Sequence, residues 1–214
     1  MSELHIESES PISLREHNRT EKRARIREAA REVFCRRGYL HATTREIAAR
    51  ARVANATLFR YASDKRELLL MIINDDLDAM QIDQTCAPAE RLKGTVRERI
   101  LRFYRSRYEY FARYPLISRP FVTESFYFMA ANESDVGPEA RRNRARRKEL
   151  IAALAALIDP PDGKRASARL AAELVHAIYL SACREWLEST TPDPREGLKR
   201  FDALLRLAAA GFEK

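Results

Sequence analysis

Between Thr20 and Arg66 the chain carries 13 Lys and Arg residues against 5 Asp and Glu. The other 26 basic residues are matched by 26 acidic ones, so the whole net charge of +8 resides in this one block. Cations concentrated in this way suit one kind of chemistry, the neutralisation of phosphodiesters with release of their counterions. Other chemistry is thinly provided. His5, His17, His41 and His176 show no metal-ligand spacing, and Cys35, Cys86 and Cys183 are far apart, odd in number and free of any CxxC pair. They read as reduced thiols of a cytoplasmic protein. There is no Gly-rich phosphate loop, no HExxH and no GxSxG. Neither an enzyme nor a cofactor or metal is therefore expected. No apolar run approaches the length of a membrane span, and MSELHIESESPISLREHNR has no basic region followed by an apolar one, so neither a membrane partner nor a signal peptide is expected.

The elements that must position the basic block are helical. Residues 1–19 are polar and read as a flexible arm. A first helix is expected from Thr20, as N-cap, to Arg37, with Ile26, Ala29, Ala30, Val33 and Phe34 on its apolar face and Gly38 as a left-handed cap. Thr43-x-x-Glu46 has the spacing of a capping box and starts a second helix, with Ile47, Ala48 and Ala51 facing inward. After a joint at Ala51–Ala54 comes a short third helix, Asn55 to Tyr61, anchored by Leu58. Ser63 or Asp64 caps a fourth, to about Asp83, with Leu69, Ile72, Ile73, Leu77 and Met80 inward. Five more are expected over Pro88–Arg113, Leu116–Ala131, Pro138–Ile158, Lys164–Ser189 and Pro194–Phe212. The fold class is all-α: a three-helix unit over 20–66, then a linker helix and a five-helix body over 67–214.

Two short helices joined by a four-residue turn and braced by a preceding helix form a helix-turn-helix. Ile47, Ala48, Ala51, Val53 and Leu58 can share one small core with the first helix. The outer face of the third helix is then free to enter a major groove about 12 Å wide.

Gly38-Tyr39, Thr43-Thr44-Arg45-Glu46-Ile47-Ala48, Val53, Thr57-Leu58-Phe59-Arg60-Tyr61 and Lys65-x-x-Leu68 together resemble the DNA-binding domain of TetR-family transcriptional repressors, over roughly residues 20–70. The resemblance implies roles position by position. Thr43 and Thr44 hold a phosphate at the start of the second helix. Arg45 reads a base, and its fork suits guanine. Asn55, Ala56 and Tyr61 face the groove, Thr57 and Lys65 contact phosphates, Phe59 stands at a position the family often gives to Tyr, and Arg60 reaches backbone or base. The chain departs from the pattern at Arg52 in place of Gly, Ala54 in place of a Ser or Thr cap (with Asn55 expected to cap one residue late), Ala56 in place of Gly, Phe59 in place of Tyr and Ala62 in place of Phe.

For the body the resemblance implies that the last two helices pair with their copies in a homodimer. The interface is expected to use Leu174, Ile178, Ala182, Phe201, Leu204, Leu205 and Ala208. Such a dimer reads a near-palindromic double-stranded operator. The middle helices would enclose a pocket for a small apolar or aromatic inducer, lined by Phe103, Tyr104, Tyr108, Phe111, Phe121, Phe126, Tyr127, His176 and Tyr179. Glu124, Glu173, His176 and Arg184 are the candidate polar handles, and the run from Arg141 to Lys148 is read as a solvated face. The expected activity is that of a repressor released from its operator when the ligand swings the linker helix.

Overall fold

A computed structural model describes residues 14–80, 93–130, 137–158 and 165–211; at 126–130, 165–166 and 209–211 it describes the backbone alone. All regular structure among these residues is helical: α1 (Leu14–Arg37), α2 (Thr44–Arg50), α3 (Asn55–Phe59), α4 (Lys65–Ala79), α5 (Val96–Arg113), α6 (Pro115–Ala130), α7 (Pro138–Ile158), α8 (Arg165–Trp186) and α9 (Pro194–Gly211).

The helix α1 begins at Leu14, so Thr20 lies inside it, with its hydroxyl donating to the Glu16 carbonyl at 3.0 Å. A Thr side chain can serve as a cap only where the preceding backbone leaves the helix. Here Arg15, Glu16 and Arg19 are good helix formers and nothing breaks the chain before Thr20. The last six residues of the expected arm are therefore helix, and residues 1–13 lie outside the described part. Downstream, Gly38 takes φ +76° and donates to the Phe34 carbonyl at 2.9 Å, ending α1 as a left-handed cap.

The helix α4 is the spine. Asp64 caps it by accepting from the Glu67 amide at 2.9 Å. Every residue from Glu67 to Asn74 is buried, so this stretch is enclosed on all sides rather than along one stripe. It packs against α1, α6 and α7. It ends at Ala79 with Met80 as cap, and Met80 is more than a third exposed. Asp83 lies outside the described residues. Gly94 at φ +84° and a capping box between Thr95 and Glu98 delay α5 to Val96, shorter than the span expected from Pro88. Around the spine, α7 packs on α8, α8 on α9, and α9 on α5.

One buried joint fixes α7 to α4. The Glu67 carboxylate accepts the backbone N–H groups of Glu139 at 3.0 Å and Ala140 at 2.8 Å, satisfying orphan donors of the α7 first turn. A Cβ on Gly137 would lie 2.3 Å from the Glu67 Cδ, so a glycine is needed for the carboxylate to come this close. Burial pushes the Glu67 carboxyl above its ordinary range, although the two amides pull the other way.

Candidate nucleic-acid interface and ligand cavity

The three-helix unit is built around Ile26, Ala30, Phe34, Ile47, Ala48 and Leu58, all at or near zero exposure. Thr43 caps α2: its hydroxyl accepts the Glu46 amide at 3.2 Å, and Glu46 Oε2 accepts the Thr43 amide at 3.2 Å. The Thr43 amide and hydroxyl are thus engaged within the capping box. These bonds, led by the Thr43 amide, hold the Glu46 carboxyl below its ordinary range.

The turn into α3 keeps its left-handed shape without glycine, with Arg52 at φ +54°. Such a conformation costs a non-Gly residue about 1–2 kcal/mol. The N-cap of α3 is Ala54, which makes no side-chain cap, and Asn55 is the first helical residue. The late cap expected at Asn55 does not form, because the backbone has already entered the helix there. With Leu58 buried, α3 leaves Asn55, Ala56, Phe59 and Arg60 exposed on its other faces, and Arg45 is exposed on α2. Thr44, Thr57 and Tyr61 are half-buried, and the Tyr61 ring packs on the core. Lys65 has a structural task of its own: its Nζ donates to the Leu40 carbonyl at 3.1 Å and sits 4.7 Å from the Tyr39 ring centroid. An ammonium has three donors, so this leaves capacity for a phosphate.

The basic block splits in two. Arg23, Arg27 and Arg31 turn inward onto Asp75 and Asp76 of α4, while Arg37, Arg50 and Arg66 pair with Glu46, Glu32 and Glu124. Lys22, Arg25, Arg36, Arg45, Arg52 and Arg60 make no ion pair among the described residues. Part of the charge excess is therefore spent holding the three-helix unit to the spine, a use that composition cannot separate from phosphate binding.

In the body the expected aromatic set divides as well. Tyr104, Tyr108, Tyr179, Phe201 and Trp186 form one stacked and edge-on cluster, with Tyr104 and Tyr179 centroids 4.1 Å apart. Tyr104 and Tyr108 are core and do not line the cavity. Phe111, Phe121, His176 and Tyr179 do line it, joined by Leu77, Ser125, Asn143, Leu150, Leu180 and the arginines Arg107, Arg146 and Arg147. Its volume is only about 50 Å³. Phe103 lies instead on a separate outer groove of about 380 Å³, beside Asp78, Arg142, Ala145, Arg146, Glu149, Leu150 and Ala153. The side chains of Phe126 and Tyr127 lie outside the described residues. His176 is 7% exposed and hydrogen-bonded to Tyr104 Oη at 3.0 Å; burial, with Arg107 and Arg147 nearby, pushes its pKa down to about 3, so it is neutral. The handle Glu124 is bound to Arg66 at 2.7 Å, and Glu173 to Arg169.

The run from Arg141 to Lys148 is not simply a solvated face. Arg142 reaches Asp75 at 2.7 Å, Glu139 at 3.2 Å and also Asp78, while Arg146 reaches Asp78. Three acids, Asp75 and Asp78 of α4 and Glu139 of α7, draw these arginines inward. Burial alone would raise the Asp75 carboxyl, but Arg23 and Arg142 outweigh it and hold the group below its ordinary range. Sequence reasoning missed this cluster, although Asn74-Asp75-Asp76-Leu77-Asp78 on an otherwise apolar helix was its visible signal.

Three residues expected at a dimer interface, Ala182, Phe201 and Leu205, are buried within the chain itself. The outward face of α8 and α9 instead presents Leu170, Leu174, Ala177, Ala203 and Leu207, with Leu170 and Leu207 about 70% exposed. Ile178, Leu204 and Ala208 are half-buried at its edge. No helix among the described residues is long and apolar enough to cross a membrane.

Residues 26–72 match the family model for bacterial regulatory proteins of the tetR family. No curated protein matches the chain by sequence. Among solved structures, a TetR transcriptional regulator from Rhodococcus sp. RHA1 aligns with a TM-score of 0.63 at 19% identity, covering 88% of this chain and 97% of that one. FadR from Thermus thermophilus, a TetR-family repressor in complex with lauroyl-CoA, aligns with a TM-score of 0.60 at 24% identity, covering 89% and 94%. FadR from Bacillus subtilis, in complex with stearoyl-CoA, aligns at 0.54 and 15% identity, covering 83% and 96%. The family match falls on the helix-turn-helix unit and the structural likeness runs through the whole body, so residues 26–72 are similar to bacterial regulatory proteins of the tetR family, at the head of a chain with the fold of the TetR-type regulators it aligns with.

Proposed function

We propose that the protein is a sequence-specific repressor that binds a near-palindromic operator as a homodimer and is released by a small ligand held between α4, α5, α6, α7 and α8. The observation that carries the DNA reading is the division of α3. Leu58 is at zero exposure while Asn55, Ala56 and Arg60 stand outward, with Arg45 exposed on α2, and Arg45, Arg52 and Arg60 make no ion pair among the described residues. Arg45 suits the O6 and N7 of guanine, Asn55 an adenine, and the Ala56 methyl a thymine methyl. Thr44, Thr57 and Lys65 serve the phosphates, with the Thr43 box fixing the start of α2, and Tyr61 faces the groove. The exposed leucines of α8 and α9 support a two-fold dimer, which presents two reading helices to one duplex. That two FadR structures of similar fold are in complex with acyl-CoA supports a ligand-binding role.

Selection of duplexes from a random pool by the intact protein tests this reading. One near-palindromic sequence is expected to bind roughly 10³-fold or more tightly than random DNA at physiological salt. Equal affinity across sequences would mean a non-specific DNA binder. On the selected duplex, Arg45→Ala costs about 1–3 kcal/mol and relaxes preference at one base pair, whereas Lys65→Ala weakens all sequences alike and lowers the salt slope by about one unit.

A further inference from the structure

The inner cavity is lined by three arginines and no carboxylate. Arg146 and Leu150 line both this cavity and the outer groove, so they form the wall between the two. The Arg146 guanidinium is held at that wall by Asp78 and by the Asn74 carbonyl at 3.3 Å. Neither space is a ligand site by itself. The inner one, about 50 Å³, has room for little more than a water or two. The outer one, about 380 Å³, is polar and carries Asp78 and Glu149. Were Arg146 to turn away from Asp78, the two would merge into a space within the ~300–1,000 Å³ of small-molecule sites, with Arg107, Arg146 and Arg147 at its inner end, Asp78 and Glu149 toward its mouth, and apolar walls from Leu77, Phe111, Phe121 and Leu180.

Asp78 is shared with Arg142, which also binds Asp75 and Glu139. Those two acids in turn hold Arg23 of α1, each at 2.6 Å. A continuous chain of charge pairs thus runs from the cavity wall to the first helix of the DNA-reading unit. We propose that the ligand is an amphiphilic anion, that its carboxylate or phosphate competes with Asp78 for Arg146, and that this competition is the signal. Asp78, losing Arg146, takes a larger share of Arg142, and Arg142 loosens from Asp75 and Glu139, which position Arg23. This rests on the reading that the cavity of the body is the ligand site. It adds the ligand's charge and the route by which it acts.

The test uses the intact protein with dodecanoate, dodecanoyl-CoA and the uncharged methyl dodecanoate, measuring binding by calorimetry and DNA release by anisotropy on the selected duplex. At least one anion is expected to bind roughly ten-fold or more tightly than the ester, through charge-assisted bonds the ester cannot make. Dodecanoate as the better ligand identifies a carboxylate, the CoA ester a phosphate. Arg146→Gln should bring the anion down to the level of the ester without lowering the ester's own affinity. Asp78→Asn should bind the anion at least as tightly as the parent yet lose most of the DNA release, and Arg23→Gln should leave anion binding unchanged while release falls roughly five-fold or more. An ester bound as tightly as both anions, binding of none of the three, or an unchanged Arg146→Gln would overturn the anionic site. Full release by Asp78→Asn and Arg23→Gln would overturn the relay. If no duplex is selected at all, the DNA reading fails, while the binding arm still decides the cavity.

Discussion

Replacing Glu67 by Ala removes the one side chain that closes the first turn of α7. Two backbone N–H groups, of Glu139 and Ala140, lose acceptors at 3.0 and 2.8 Å in a site where Glu67 is 3% exposed. Each buried donor left unmade costs about 1–3 kcal/mol. Relief of burying the carboxylate, whose charged form burial disfavours, offsets part of this. The expected loss is about 2–4 kcal/mol, which for a chain of this length lowers Tm by about 5–15 °C. Glu67→Gln keeps one carbonyl acceptor and should cost roughly half as much. Gly137→Ala, which drives a methyl into the same carboxylate, should act in the same direction. Thermal unfolding followed by far-UV circular dichroism, at fixed protein concentration, reads all three. A Glu67→Ala protein melting within about 1 °C of the parent would refute the reasoning, since it would mean that water or a shifted α7 satisfies those amides at no cost.

Three further outcomes follow from the same structure. Asp75 and Asp78 have folded pKa values below their ordinary range, so their stabilisation is complete above the unfolded value of about 4 and is lost as pH falls through the lower folded values; Glu67 has the opposite sign, and Asp75→Asn should therefore blunt an acid-induced loosening seen in near-UV circular dichroism below about pH 4. Arg52→Gly relieves about 1–2 kcal/mol of left-handed strain and restores about 0.4–1 kcal/mol of unfolded-chain entropy, so the variant should melt at or slightly above the parent, and a clear drop in Tm would show that the Arg52 side chain makes a stabilising contact. Leu174→Glu with Leu207→Glu should weaken self-association at least ten-fold in sedimentation equilibrium with little change in helix content, because both side chains face outward; an undisturbed dimer would place the interface elsewhere.

The sequence by itself determined the helices and the helix-turn-helix unit. Local signals settle these: the Thr43–Glu46 box, Gly38 after a basic last turn, Asp64 before an apolar run, and period-3.6 stripes all act within one or two turns of chain. It also carried the warning at Arg52, where a left-handed turn is built without glycine. What it could not settle was which partner each side chain meets. Whether Phe201 faces a dimer partner or Tyr104 depends on the phase of α9 against α5 and α8, and both of its faces are apolar. Likewise, the cations of Arg23, Arg142 and Arg146 look solvated in a linear reading. Only the packing of α1 and α7 against α4 brings them onto Asp75, Asp78 and Glu139, residues up to 116 positions away, because acids withdrawn from water, as Glu139 is and Asp75 partly is, must find a countercharge wherever the fold supplies one.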